Sequence, residues 1–278
     1  METVLVGIDV SDSEFQALRW ALDYCRVTGA ELVGVIAYEP VQAEEPPDWY
    51  EEHIAAVTKQ AEAAVDRMGR DVPYRIEVHY GDPRSVLAEA ATGARPALVV
   101  VGARGGGGFA GLGLGRVAHH LAHHLQVPLV IVPAVPKDLR GSTIVVGADG
   151  SPASLNTLRW AVHLASAARA SVHVVYAYEP LAASYPHPPT ATDQDRQAAA
   201  VQAEVASFDG TDVKVVASAV TDHPVAAITL TAAEDEASLI VIGRRGAGGL
   251  RGLLLGHVPA QLPYHAHRPV AIIPHLAG

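Results

Sequence analysis

Two glycine strings are where this chain has the means to do chemistry. The first is Gly102-Ala103-Arg104-Gly105, nine residues, then Gly115; the second is Gly243-Arg244-Arg245-Gly246, nine residues, then Gly256. Each follows a run of β-branched apolar residues and precedes a helix-like stretch, so its amides converge on the carboxyl end of a strand and the start of a helix. Such a place binds anions. Glycine permits positive φ and the close approach of a phosphate, while unsatisfied N–H groups and the helix dipole attract negative charge. A glycine-rich surface connection without ligand is the plainer alternative, and repetition at identical spacing argues against it. Gly113-Leu114-Gly115-Arg116-Val117-Ala118 also reads GxGxxA. A dinucleotide fingerprint, however, follows the first strand and has an acidic residue about 20 positions on, and neither condition holds. No GxxxxGK[ST] string occurs, which excludes a P-loop.

Other reactive side chains are less telling. His119, His120, His123 and His124 form two i,i+4 pairs on a predicted helix, a spacing that brings two imidazoles to one metal. No third ligand is evident nearby and structural zinc asks for four, so a solvent-facing or interface helix is preferred and no metal is expected. The same plain reading applies to His265 and His267. Ser11 and Ser151 lie two residues after Asp9 and Asp149, a placement that suits helix N-caps better than nucleophiles. With no histidine tied by sequence to either serine, no catalytic residue is expected. Trp20 and Trp160 share an apolar helical stripe with Leu18 and Leu158 and are expected in the core.

The elements that position these residues come in two copies. Residues 4–40, VLVGIDVSDSEFQALRWALDYCRVTGAELVGVIAYEP, return at an offset of 140 as IVVGADGSPASLNTLRWAVHLASAARASVHVVYAYEP, and the glycine strings correspond at 141. A repeat of this length is a whole domain rather than a solenoid unit. In each half, β-branched apolar runs alternate with segments of helical period, as in βαβ units. In the first half, strands are expected near 3–9, 31–38, 73–80, 97–102 and 128–133, with helices near 12–28, 49–69, 83–93 and 115–126. Continuous apolar runs such as Leu98-Val99-Val100-Val101 suit strands covered on both faces. The proline-rich stretches 44–49 and 185–189 are expected to be surface loops. The reading is α/β: two tandem, doubly wound, Rossmann-like domains, 1–135 and 143–278, each with a five-stranded parallel sheet in the order 3-2-1-4-5. A linker, 136–142, broken by Pro136 and Gly141, joins them.

Composition narrows the function classes. Hydrophobic residues make up 49% and charged residues 18% of the 278, ample for packed cores. The formal charge of −10 repels phosphate backbones and anionic lipid, so neither nucleic acid nor membrane is an expected partner. The single cysteine, Cys25, reads as a small buried hydrophobe in a reducing compartment. The opening METVLVGIDV has neither a signal-peptide core nor the ~20 apolar residues of a transmembrane helix, and a cytoplasmic location is the expectation.

The strand Val6-Gly7-Ile8-Asp9, the GxxGx9G loop and their duplication resemble the universal stress protein family, across essentially all of both halves. In the ATP-binding branch of that family, the aspartate and the end of the second strand lie at the base and ribose, and the glycines and the residues after the last glycine hold the phosphates. The resemblance therefore implies one site at Asp9, Ala37 (with Ile36 beside it), Val101, Gly102, Arg104, Gly105, Gly115, Arg116 and Val117. It implies a second at Asp149, Ile242, Gly243, Arg245, Gly246, Gly256, His257 and Val258. The implied ligand is ATP, with Mg2+ a possible companion, and cAMP is an alternative nucleotide. The resemblance also implies an intramolecular pseudo-dimer through pairing of last strands, association into a homodimer, and a non-catalytic sensor in stress response. The chain departs from the family where Arg116 and His257 replace a Ser or Thr that supplies a phosphate hydroxyl. A cation in the first turn opposes the helix dipole unless an anion or carboxylate sits nearby. Pro259 and Pro263 fall within the last helix of the second half, whose site is expected to be the weaker. An interaction module without nucleotide and a weak ATP hydrolase on the same fold are the competing functions.

Overall fold

The structure, a computed structural model, describes residues 2–10, 15–39, 47–68, 71–105, 113–133, 136–178, 191–246 and 254–274. Two compact units divide the chain, Met1–Pro136 and Lys137–Gly278. The first runs β1 (Thr3–Gly7), α1 (Gln16–Thr28), β2 (Glu31–Tyr38), α2 (Pro47–Met68), β3 (Tyr74–Tyr80), α3 (Pro83–Ala94), β4 (Leu98–Gly102), α4 (Arg116–His124) and β5 (Leu129–Val132). The second repeats this as β6 (Thr143–Ala148), α5 (Pro152–Ala168), β7 (Ser171–Tyr178), α6 (Ala191–Ala206), β8 (Val215–Thr221), α7 (Pro224–Glu234), β9 (Leu239–Gly243), α8 (His257–His265) and β10 (Val270–Ile273).

Strands within each unit pair in parallel. The first unit has the order β3-β2-β1-β4-β5 and the second β8-β7-β6-β9-β10. Val4 of β1 faces Leu32 of β2 on one side and Leu98 of β4 on the other; Ile144 of β6 likewise lies between Val172 and Leu239. The order 3-2-1-4-5 expected from the alternating pattern is thus present twice. Val4 to Val6, Leu98 to Val101 and Leu239 to Ile242 are buried throughout, as strands covered on both faces must be. Between β1 and β4, and between β6 and β9, successive connections leave in opposite directions, opening a crevice at the carboxyl ends.

Helix starts depart from expectation in an informative way. α5 starts with the expected cap: Ser151 accepts a bond from Ser154 N at 3.2 Å. α1 starts only at Gln16, because Phe15 takes the left-handed conformation, φ 50, and caps without a side-chain bond. Ser11 lies outside the described residues. Pro47, expected in a loop, is the first residue of α2, a position where its missing N–H costs nothing; the stretch 185–189 lies outside the described residues. α8 runs through Pro263 and is as long as α4, nine residues each. Pro259 sits in the first turn, where an N–H has no intrahelical partner, so only Pro263 removes a helical bond.

The cores are well filled. Trp20 is buried and stacks on Tyr24 with centroids 5.5 Å apart, whereas Trp160 is only half-buried. Cys25 is buried, and desolvation pushes its thiol up to about 12, so it packs as a hydrophobe. Leu139, inside the stretch expected to be the linker, is fully buried in the second unit. Next to it, Ser142 Oγ donates to Leu139 O at 2.7 Å and pairs with Ser238 Oγ at 2.6 Å. Leu139→Ala is expected to destabilise the second unit by about 2–5 kcal/mol, with exposed Arg140→Ala near neutral. Thermal unfolding of the two variants makes the comparison.

Candidate functional site

A cleft opens at the carboxyl ends of the strands in each unit. In the first, Gly7, Ile8 and Asp9 after β1 face Val101, Gly102, Arg104 and Gly105 after β4, and Val35 to Ala37 of β2, Val117 of α4, Phe15, Leu18, Pro83 and Leu87 form the apolar walls. In the second, Gly147 to Asp149 face Ile242, Gly243, Arg245 and Gly246, with Val175, Ala177, Ile228 and the helix start Gly256 to Pro259. The cavities measure about 230 Å³ and about 360 Å³. Ile8 and Phe15 narrow the first. At the offset of 140, Ile8 becomes Ala148, and Leu155, which replaces Phe15, does not line the second.

The glycine loop closes on itself in the same way in both. Gly115 N–H donates to Ala103 O at 2.7 Å, and Gly256 N–H to Arg244 O at 2.9 Å. A Cβ on Gly115 would stand 3.1 Å from Ala103 O and 3.4 Å from Arg104 Cα; on Gly256 it would meet Arg244 O at 3.3 Å. Gly105 packs against the strand-end aspartate, where a Cβ would lie 2.8 Å from Asp9 Oδ2, and Gly246 stands in the same relation to Asp149 Oδ2. None of the six motif glycines has positive φ. The backbone freedom expected of them is not what the loop uses; close approach is. Asp149 is further held by the N–H of Ser151 at 3.0 Å.

Gly115 and Gly256 are also the N-caps of α4 and α8, and neither helix has a side-chain cap. First-turn amides are left for solvent or an anion, and the helix dipole adds positive potential there. Pro259 removes one amide from the second site.

Seven of the first set of predicted residues line the first cleft: Asp9, Ala37, Val101, Gly102, Arg104, Gly105 and Val117. Gly115 and Arg116 do not. Gly115 serves the loop neck, and Arg116 is exposed with its charge bearing on Asp82. That carboxylate caps α3 by accepting from Arg84 N, and the Arg84 guanidinium holds it below the usual carboxylate range. It offsets the poor placement of Arg116 against the helix dipole. The second cleft is lined by all eight of its predicted residues: Asp149, Ile242, Gly243, Arg245, Gly246, Gly256, His257 and Val258. His257 contacts Gln261 at 2.8 Å and faces the His223 ring at 5.7 Å. The apolar walls were missed in the sequence, where Leu18 read as core and Leu87 was not singled out. A usable signal was Pro83 and Pro224, which recur at the offset of 141 and open α3 and α7 beside each cleft.

Comparisons with known proteins show the family and the fold. The profile of the universal stress protein family matches residues 1–133 and 142–274. The chain belongs to the universal stress protein family. A universal stress protein of Mycolicibacterium smegmatis is 28% identical over 97% of this chain and 96% of its own length, and one of Mycobacterium tuberculosis is 27% identical over 97% and 95%. The crystal structure of a putative universal stress protein from Pseudomonas aeruginosa shares the fold, with a TM-score of 0.71 at 18% identity over 99% of this chain and 93% of its own.

One polar network of this universal stress protein lies apart from both clefts. His173 on β7 bonds Asp235 through Nδ1 at 2.6 Å and Ser218 on β8 through Nε2 at 2.9 Å. The order matches a hydrolase triad, but none of the three lines either cleft. It ties the end of α7 to two strands. No helix among the described residues is long and apolar enough to cross a membrane. Gly115→Ala is expected to press on the backbone of Ala103 and Arg104 at the neck and to cost about 1–3 kcal/mol, measured by denaturant unfolding. Gly93→Ala, inside α3 and meeting nothing within 4 Å, is the unobstructed control and should stabilise by up to about 1 kcal/mol.

Proposed function

We propose that both clefts bind an adenine nucleotide, ATP in the first instance, and that the protein acts as a nucleotide-responsive regulator in stress response rather than as a catalyst. The observation that carries this reading is the meeting, in each unit, of an uncapped helix start, a glycine neck and a strand-end aspartate at the point where strand order reverses. The amides of α4 and α8 suit the phosphates. Apolar walls such as Val35, Leu87 and Ile228 suit the base, and the aspartates suit ribose hydroxyls or an exocyclic amine. Mg2+ would enter with the phosphates, keeping most of its waters.

A binding role fits the side chains available. Ser154, which lines the second cleft, donates to Ser151 O at 2.9 Å instead of facing a general base, and a nucleophile needs such a base. The smaller first cleft favours a compact ligand, so cAMP is the second nucleotide to test. The larger second cleft, with His257 in place of a hydroxyl residue, favours ATP despite the amide lost at Pro259. Association of two chains belongs to the same reading, and native mass spectrometry reports ligand mass and subunit count together.

Isothermal titration with ATP and cAMP tests the proposal. Asp9→Ala and Asp149→Ala are each expected to remove one binding event or weaken it by about 10- to 100-fold, the worth of a hydrogen bond to a charged group, with little phosphate release from ATP. Steady turnover lost on Asp9→Ala would replace the regulator with a hydrolase. No binding at millimolar nucleotide would leave an interaction module.

A further inference from the structure

We propose that the outer face of α4 binds divalent transition-metal ions through two chelating histidine pairs, His119 with His123 and His120 with His124. The helix is amphipathic. Ala118, Leu121 and Ala122 are buried against the sheet, while His119 and His124 are exposed and His120 and His123 half-buried. With the i, i+3, i+4 stripe committed to the core, the four imidazoles occupy the remaining arc in two pairs, each one turn apart.

Both pairs are already close to chelating distance. Ring centroids are 4.4 Å apart in each, with planes tilted by 34° and 35°. At metal–nitrogen distances of about 2.0–2.1 Å, two imidazoles on one ion have centroids roughly 4.5 Å apart at a right angle and roughly 5.2 Å apart at the tetrahedral angle. The observed spacing suits adjacent corners of a tetragonal site, the preference of copper(II) and nickel(II). A second observation concerns the tautomer. His123 Nδ1 lies 2.8 Å from His119 O. A carbonyl only accepts, so Nδ1 carries the proton and Nε2 is the lone-pair nitrogen, the arrangement by which metal-binding histidines are normally oriented.

The two pairs are separate sites. His123 and His124 centroids are 6.4 Å apart, and no group of three or more His, Cys, Asp or Glu converges on one point among the described residues. Each ion thus takes two protein ligands and completes its shell with water. The duplicated fold does not require these histidines: at the offset of 141 the second unit has Ala260, Gln261, Tyr264 and His265 on α8. Val117, one turn before Leu121 on the same helix, lines the first cleft, so an ion on α4 stiffens the element that faces the ligand there.

The experiment uses the full chain without an affinity tag, titrated with copper(II) and with nickel(II) and followed by calorimetry and by the copper absorption band. The expected result is two ions per chain. His123→Ala should remove one of them, and His123→Ala with His124→Ala both, with affinity falling by about 100-fold or more as the chelate is lost. His123→Gln, which keeps a polar side chain of similar reach, should behave as His123→Ala. Circular dichroism of each variant without metal checks that α4 still forms. Unchanged stoichiometry in the double variant would assign the metal to other histidines and overturn the proposal, as would absence of binding by the wild-type chain. Nucleotide titration is scored separately, so its failure leaves this result standing.

Discussion

The neck hydrogen bond of the glycine loop is the contact on which both clefts depend. Reversal of strand order leaves a gap at the carboxyl ends of β1 and β4, but a gap alone has no chemistry. The bonds from Gly115 to Ala103 and from Gly256 to Arg244 bring a helix start back over the strand it left. Helix starts without a side-chain cap then stand beside the gap. Closure at this range is a steric condition, since any Cβ at the last glycine would press on backbone that belongs to the neighbouring strand end. The same logic governs Gly105 and Gly246, against which the aspartates pack.

Around that constant, the two units have diverged in kind. Ala103 becomes Arg244, a buried cation whose Nε donates to Leu254 O at 2.9 Å and whose pKa is drawn down by burial and by Arg245. A buried charge is tolerated only when hydrogen-bonded, and here the guanidinium bridges the two ends of the loop, reinforcing the backbone neck bond that both units share. Beside the helix start, the first unit has the carboxylate of Asp82 near Arg116, while the second has the rings of His223 and His257. Together with Ile8 against Ala148, these exchanges give two clefts of one plan but different width and charge.

Much of this was legible in the sequence, for identifiable reasons. Strands buried on both faces read as unbroken apolar runs, and duplication doubled every signal, so the architecture, the glycines and the aspartates were found. Apolar cleft walls could not be told from core, because Leu18 and Leu87 serve as both. The start of α1 was misplaced because Phe15 adopts a conformation that side chains of its size rarely take. Leu139 was hidden in a stretch whose proline, glycine and charges all pointed to a connection. Positive φ was the wrong reason for the right glycines: what the loop demanded was proximity, which sequence pattern cannot distinguish from backbone freedom.

If main-chain groups are the donors, as proposed, the form of the site does not depend on the side chains at Arg116 and His257. A side-chain hydroxyl contributes one bond to a phosphate, whereas the helix start contributes several amides and the dipole behind them. Arg116 is exposed with its charge bearing on Asp82, and His257 contacts Gln261. Pro259 is the more direct change, for it deletes a donor from the helix start itself. Under the proposed reading, side chains at the rim adjust which anion is preferred, while the donors themselves belong to backbone held in place by close glycine contacts.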